Sequence, residues 1–429
     1  MQLPQYPRYE DYAESGFDWI KSVPSHWTVS KLGSCLSPVS KKNHGDKPLL
    51  SITREAGVIE RDVEDQDSNH NFIPDDLSNY KLVREGQFAM NKMKAWQGSY
   101  GVSEHTGIVS PAYYVFDFAK PFDPRFFNIA IRSKLYVSYF GSASDGVRIG
   151  QWDLNKTRMK AIPFLVPPLE EQQAIARFLD DKTDKIDRAV KIKEGQIALL
   201  RERKQIIIQE AVTKGLNPDA PMKDSGIDWI GQIPAHWTVD TLGSLLFPVS
   251  EKNHPDKTLL SVTREQGVIV RDVEDQESNH NFIPDDLSGY KLVRAGQFAM
   301  NKMKAWQGSY GISEHTGIVS PAYFVFSLLK DFDGAFFNTA IRSKLYVTFF
   351  GQASDGVRIG QWDLNKTRMK AIPFIYPSVE EQKEIVKHIE FEKAKIDDAI
   401  ELKERQIEAL KEYKATLINA AVTGKIKVI

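Results

Sequence analysis

The sequence is 429 residues long, with 41% apolar and 26% charged residues, the make-up of a globular chain with room for two or three domains, not of a disordered or fibrous one. Lysine plus arginine (56) and aspartate plus glutamate (57) nearly cancel, so net charge alone does not mark the chain as a nucleic-acid or membrane-surface binder. The single cysteine, Cys35, excludes an intrachain disulfide and a multi-cysteine zinc cluster. The first residues, Met1 to Pro7, have neither a basic start nor an apolar run, and no stretch of membrane-spanning length follows. A cytoplasmic protein with no membrane partner is the expectation.

The near-neutral average conceals an internal polarity. Residues 46–80 carry an excess of six acids, and residues 81–165 an excess of six bases. The pattern recurs because the chain is duplicated. His26-Trp27-Thr28-Val29 returns as His236-Trp237-Thr238-Val239, an offset of 210. Ser68 through Ser78 returns at Ser278 through Ser288, and Met90 through Tyr100 returns unchanged as Met300 through Tyr310. Between residues 41 and 164 roughly five positions in six match their partners, so the copies should share one fold and one function.

Each copy has two parts in chain order. Residues 1–167 mix short β-rich runs, such as Ala112-Tyr113-Tyr114-Val115-Phe116, with Gly and Asn/Asp punctuation, which reads as a compact α/β (α+β) globular domain. After Pro167-Pro168, residues 168–213 read as one helix, with Glu170 and Glu171 in the first turn, where the helix dipole favours acids. Ile186, Val190, Lys193, Ile197, Leu200, Lys204, Ile207 and Ala211 follow alternating steps of four and three, a coiled-coil seam interrupted by two lysines. Residues 214–377 repeat the globular part. Residues 378–429 repeat the helix, with Ile396, Ile400, Lys403, Ile407, Leu410, Lys414, Leu417 and Ala421 at the equivalent positions. A helix of about 44 residues is about 65 Å long, whereas a 165-residue globule has a radius of gyration of about 15 Å. The second domain cannot easily carry the chain back, so the helices should pair antiparallel with a globular domain at each end, an arrangement with a pseudo-two-fold axis.

The motifs of enzymes that act on DNA are missing. There is no Walker A loop, no Gly-x-Gly-x-x-Gly fingerprint, no Asn/Asp-Pro-Pro-aromatic motif and no His-Glu-x-x-His pattern. The acidic run Asp62, Glu64, Asp65, Asp67 with His70 has carboxylates that a hard cation accepts, which leaves a nuclease as one rival reading. Consecutive acids in one loop more often face water. The basic portion is more informative. The segment from Asn91 to Gly101 offers Lys92 and Lys94 for phosphates, Gln97 for a bidentate adenine contact, Ser99 and Tyr100, and glycines that permit close backbone approach. Trp96 and Tyr100 are as readily core residues of a β domain. A second candidate, Ser142 to Arg158, supplies Arg148 and Gln151 for base edges, Asn155, and Lys156 and Arg158 for phosphates. The second copy contributes Lys302, Lys304, Gln307, Ser309, Tyr310, Arg358, Gln361, Asn365 and Lys366. These residues point to sequence-specific binding of double-stranded DNA, with no catalytic residue and no metal site. The other rival is a tandem coiled-coil adapter whose globular parts bind protein, without DNA readout.

Gly107-Ile108-Val109-Ser110-Pro111-Ala112-Tyr113, then Lys160-Ala161-Ile162-Pro163-Phe164, then Pro167-Pro168-Leu169-Glu170-Glu171-Gln172 and a long helix, resembles the specificity subunits of type I restriction-modification systems. The pattern occurs twice. The second copy departs only in Pro377-Ser378-Val379-Glu380-Glu381-Gln382, which loses one proline. The resemblance implies that each globular part is a target recognition domain reading half of a bipartite site, and that the helices space the two readers. It implies two methyltransferase (modification) subunits as partners, which bind S-adenosylmethionine and methylate adenine, and restriction subunits that use ATP and Mg. No cofactor is expected on this chain. The family commonly pairs unlike readers, whereas here the likeness of the copies predicts matching half-sites, an interrupted palindrome.

Overall fold

A computed structural model of the chain describes residues 6–17, 19–62, 73–148, 151–272, 283–358 and 361–428. The chain forms two compact units, and each draws on both long helices. One comprises residues 1–193 with 404–429, the other residues 194–403.

In the first unit the centre is a four-stranded antiparallel sheet, in the order Leu36–Val39, Tyr114–Phe118, Phe88–Met90, Tyr100–Val102. Side chains along a strand alternate between faces, and here both faces are covered. Phe88, Met90 and Phe116 point to one side and pack with Phe126, Phe127, Ala130 and Ile131 of the helix Pro124–Ile131 and with Tyr136 and Phe140 of Lys134–Ser142. Ala89 and Val115 point to the other, against Leu50, Ile52, Val58, Val83 and Val109 from the small sheets Leu50–Thr53 with Gly57–Glu60 and Lys81–Val83 with Gly107–Val109. Two-sided burial explains why Phe88-Ala89-Met90 reads as an unbroken apolar run instead of an alternation. Thr28–Lys31 pairs with Pro163–Val166, which closes the globular part just before the long helix. The sheets are antiparallel and the helices flank them, so the architecture is the α+β domain with long helices that the sequence implies.

The arginine after the first flanking helix is a structural tie. Arg132 donates to the carbonyls of Tyr100 (2.7 Å), Glu55 (2.8 Å) and Arg54 (3.0 Å), and its burial lowers its basicity somewhat. Arg342 repeats this with Tyr310, Arg264 and Glu265 in the second unit. That unit has the same order, with the sheet Leu246–Val249, Phe324–Leu328, Phe298–Met300, Tyr310–Ile312 and the same two core clusters.

The first long helix runs Leu169–Lys214 and the second Val379–Val422. A glutamate and a glutamine lock each start onto its globular part. Gln172, buried, donates to the Pro167 carbonyl (2.9 Å) and accepts from the Asp123 amide (3.0 Å), while Glu171 accepts from Tyr9 Oη and meets His26 Nε2 at 2.9 Å. Gln382 and Glu381 repeat the joint with Pro377, Asp333 and His236. There Trp237 Nε1 also donates to Glu381 (3.0 Å). The His-Trp and Glu-Glu-Gln signatures are thus two sides of one joint.

Within each unit the helices run antiparallel. In the first, Asp187 meets Lys414 (2.6 Å) and, further along, Lys193 meets Gln406 (2.6 Å). In the second, Gln196 meets Lys403 (2.7 Å) and Lys204 meets Asp397 (2.7 Å). Every lysine that interrupts the apolar seam therefore has a polar partner across it, which fixes the register in the way a polar residue at a seam position does. Ile186, Ile197, Ala211, Ile396, Ile407, Leu417 and Ala421 are buried as the spacing requires.

The last part of the second long helix completes the core of the first unit. Leu417, Ala420, Ala421, Val422 and Ile426 pack with Trp27, Ile175, Ala176 and Leu179. A left-handed turn at Gly424 (φ +68°) seats the helix end, and a Cβ there would lie 2.4 Å from the Pro24 ring. Tyr12 Oη donates to the Gly424 carbonyl (2.9 Å), and the Lys427 amide donates to the Pro7 carbonyl (2.7 Å). Among the described residues no helix is long and apolar enough to cross a membrane.

Candidate nucleic-acid interface

The two basic segments singled out in the sequence meet on one surface of each unit. The first is a turn between Phe88–Met90 and Tyr100–Val102, with a 3-10 helix at Ala95–Gln97. The turn is held from below: Asn91 donates to Tyr113 Oη (3.1 Å), and its Oδ1 accepts from the Met93 amide (3.1 Å). It closes through Gly98, whose φ of +92° is left-handed and whose missing Cβ would meet Val137 at 3.3 Å. The second segment is the hairpin Ser144–Arg148 with Gln151–Leu154, followed by the helix Lys156–Ala161. Two contacts join them. The Trp96 and Trp152 rings lie 5.3 Å apart, and Lys92 Nζ reaches Asp153 at 3.3 Å. In the second unit Trp306 and Trp362 lie 5.4 Å apart, and Lys302 reaches Asp363 at 3.1 Å.

Several residues proposed from the sequence have other duties. Ser99 and Tyr100 are buried, and the Tyr100 ring packs 4.4 Å from that of Phe140; Ser309 and Tyr310 do the same beside Phe350. They hold the turn and have no face to offer DNA: Tyr100 and Tyr310 open strands covered on both faces, and Ser99 and Ser309, just before them, are buried as well. Burial pushes both tyrosine hydroxyls well above their ordinary range. Asn155 and Asn365 are N-caps: each side chain accepts from the two amides two and three residues on, Thr157 and Arg158, or Thr367 and Arg368. Arg158 is ion-paired with Asp145, and Arg368 with Asp355. The side chains of Arg148, Gln151, Arg358 and Gln361 lie outside the described residues, as does the acidic run from Glu64 to His70.

Lys94, Gln97, Lys304 and Gln307 remain on the surface of the turn. Lys94 and Lys304 are exposed and the two glutamines half-buried, and among the described residues their side chains have no hydrogen-bond partner. Sequence reading missed two lysines near this surface, Lys42 and Lys81. Lys81 Nζ lies 5.9 Å from the Tyr114 ring centre and donates to the Tyr113 carbonyl (2.6 Å), while Lys156 Nζ lies 5.8 Å from the same ring. Burial lowers the Lys81 pKa, and the nearby charges of Lys42, Lys92 and Lys156 lower it further. Lys291 and Lys366 repeat this over Phe324, at 6.0 and 5.9 Å, with Lys252 and Lys302 nearby. Nothing local marks Lys42 or Lys81 in the sequence, since only the fold brings them beside the basic segments. Among the described residues no group of three or more His, Cys, Asp or Glu is placed to hold a metal ion.

Residues 107–199 match the type I restriction modification DNA specificity domain, a span that runs from the strand Gly107–Val109 into the first long helix. Two proteins of Methanocaldococcus jannaschii are similar in sequence. A protein described as the type I restriction enzyme MjaX specificity subunit is 27% identical over 298 residues, 65% of this chain and 63% of that protein. The MjaVIII specificity subunit is 27% identical over 315 residues, 69% of each. The chain thus spans just under two thirds of the first of these relatives. Two solved structures share the fold. One is a chain from a study of complex assembly and conformational transition in the type I R-M system, with a TM-score of 0.65 at 12% identity over 94% of this chain and 99% of that one. The other is the HsdS subunit from Thermoanaerobacter tengcongensis, with a TM-score of 0.52 at 13% identity over 96% and 99%.

Proposed function

Since the chain belongs to the specificity subunits of type I restriction-modification systems, we propose that each unit reads one half of a bipartite site on double-stranded DNA. The observation that carries this is the repeated turn, Lys92 to Gly98 and Lys302 to Gly308, which presents Lys94 and Gln97, or Lys304 and Gln307, at the same position of both units with no side-chain hydrogen-bond partner among the described residues. Gln97 and Gln307 have the two-pronged donor and acceptor geometry that adenine takes in the major groove, and Lys94 and Lys304 the point charge that suits a phosphate.

The chain supplies specificity and no chemistry of its own. Two modification subunits would dock on the long helices and use S-adenosylmethionine to methylate adenine, and restriction subunits would bring ATP and Mg. The readers are identical over the two basic segments, Met90 to Gly101 against Met300 to Gly311 and Ala143 to Arg158 against Ala353 to Arg368, and elsewhere include changes as mild as Ile52 against Val262 and Val102 against Ile312. Equal readers take equal half-sites, and helices that run in opposite directions within each unit suit reading of opposite strands. The proposed target is therefore an interrupted palindrome.

Substitution in the turn tests the reading. Lys94→Ala with Lys304→Ala should weaken DNA binding about equally on every sequence and flatten its salt dependence, as removal of a phosphate-binding cation does. Gln97→Ala with Gln307→Ala should cost about 1–3 kcal/mol and relax preference at one base pair in each half-site. Gel-shift titration across a salt series with a randomised duplex pool reads both. Unchanged binding in both variants removes the turn from the interface, and binding indifferent to salt in the unaltered chain favours a protein adapter.

A further inference from the structure

We propose that Lys42, Lys81, Lys92 and Lys156 in the first unit, and Lys252, Lys291, Lys302 and Lys366 in the second, form in each unit a site for one DNA phosphodiester group, built on the two lysines that share one aromatic ring with the other two beside them. This rests on the DNA reading above and adds where the backbone is gripped. The four lysines come from four separate stretches: Lys42 after Leu36–Val39, Lys81 on Lys81–Val83, Lys92 in the turn, and Lys156 at the start of its helix. Two of them sit over the same ring, at 5.9 and 5.8 Å in one unit and 6.0 and 5.9 Å in the other.

Like charges brought together repel, and a half-buried member such as Lys81 also loses hydration. Such an arrangement lowers stability unless an anion completes it. Among the described residues Asp153, on Lys92, is the acid that an ion pair brings to this group, which leaves three cations in excess there. Lys42 is held by a neutral partner, the Asn79 side chain (3.2 Å).

The ligand's chemical class follows from the donors. Ammonium groups are compact point charges with three donors and no acceptor, which suits phosphate oxygens, and contacts to phosphate carry no sequence information. The ring adds an apolar floor that also attracts cations. Its hydroxyl is dispensable, because Phe324 stands where Tyr114 does. Lys92 ties the site to the reading turn, since Trp152, adjacent to its partner Asp153, packs on Trp96, adjacent to Gln97. A phosphate held here would set the register in which Gln97 meets its base.

The test uses the exposed pair of each unit, Lys42→Gln with Lys156→Gln and Lys252→Gln with Lys366→Gln, in the full chain. Affinity for a random-sequence duplex and for the cognate site is followed by fluorescence anisotropy across a salt series, alongside thermal melting. Each double variant should reduce the slope of log K against log salt by about 1.8, or about 0.9 for each lysine that no longer neutralises phosphate. The loss in affinity should be the same for both duplexes, and the melting temperature should hold or rise as repulsion is relieved. An unchanged slope overturns the phosphate site while leaving the reading turn standing. A loss confined to the cognate duplex, or one that tracks a fall in melting temperature, overturns it as well. Failure of the unaltered chain to bind either duplex overturns the DNA reading itself.

Discussion

Ending the chain at Lys403 should unfold the first unit and leave the second intact. The deleted segment carries Leu417, Ala420, Ala421, Val422 and Ile426, all buried against the first globular part. Burial of each large aliphatic side chain is worth about 1.5–3 kcal/mol, and their removal also exposes Ile175, Leu179 and Trp27. The sum is roughly 10 kcal/mol, comparable with the whole stability of a domain. The second unit, residues 194–403, keeps every residue of its own. Calorimetry should show one transition surviving, and limited proteolysis should cut throughout residues 6–168 while sparing 215–378. A first unit that resists protease as before would show that the helix end only decorates it.

Proline at position 197 should have the second large effect. Ile197 is buried in the seam, in the interior of a 46-residue helix. Proline removes the amide that donates to residue 193 and its ring clashes with that carbonyl, at a cost of about 3 kcal/mol or more. The kink also separates Gln196 from Lys403, which meet at 2.7 Å. Ile197→Ala is the control, because it leaves the helix intact and loses about 2–5 kcal/mol of packing alone. If the modification subunits dock on the helices as proposed, co-purification with them is lost in Ile197→Pro and kept in Ile197→Ala. Equal assembly by both variants would move the docking surface elsewhere.

The long helices were legible because their signal is local and repeated. A heptad pattern sustained over about seven turns needs no knowledge of the rest of the fold, and the seam lysines gave themselves away by recurring at the same offset. The direction of pairing followed from length alone. The candidate surface was legible only in part. Residue type singled out Lys94 and Gln97, which lie exposed and half-buried on the turn, but it could not tell that Ser99 and Tyr100, just beyond them, are buried, because Tyr100 opens a strand of only three residues and alternation has no room to show. Asn155 had a local signal that pointed away from base contact, an asparagine immediately before a short helix, which is the pattern of an N-cap. The lysine group near Lys81 had no such signal, since only the closed fold brings residues 42, 92 and 156 to it. The same holds for the end of the second long helix: its seam was plain, but its place in the core of the first unit depends on contacts between segments some 400 residues apart, such as Tyr12 with Gly424.

Two like readers should take like half-sites, and mapping methylated adenines across the DNA of a host that carries the complex tests this most directly. The predicted result is one motif whose two halves are reverse complements of each other across a fixed gap. A motif built from two unrelated halves would contradict it.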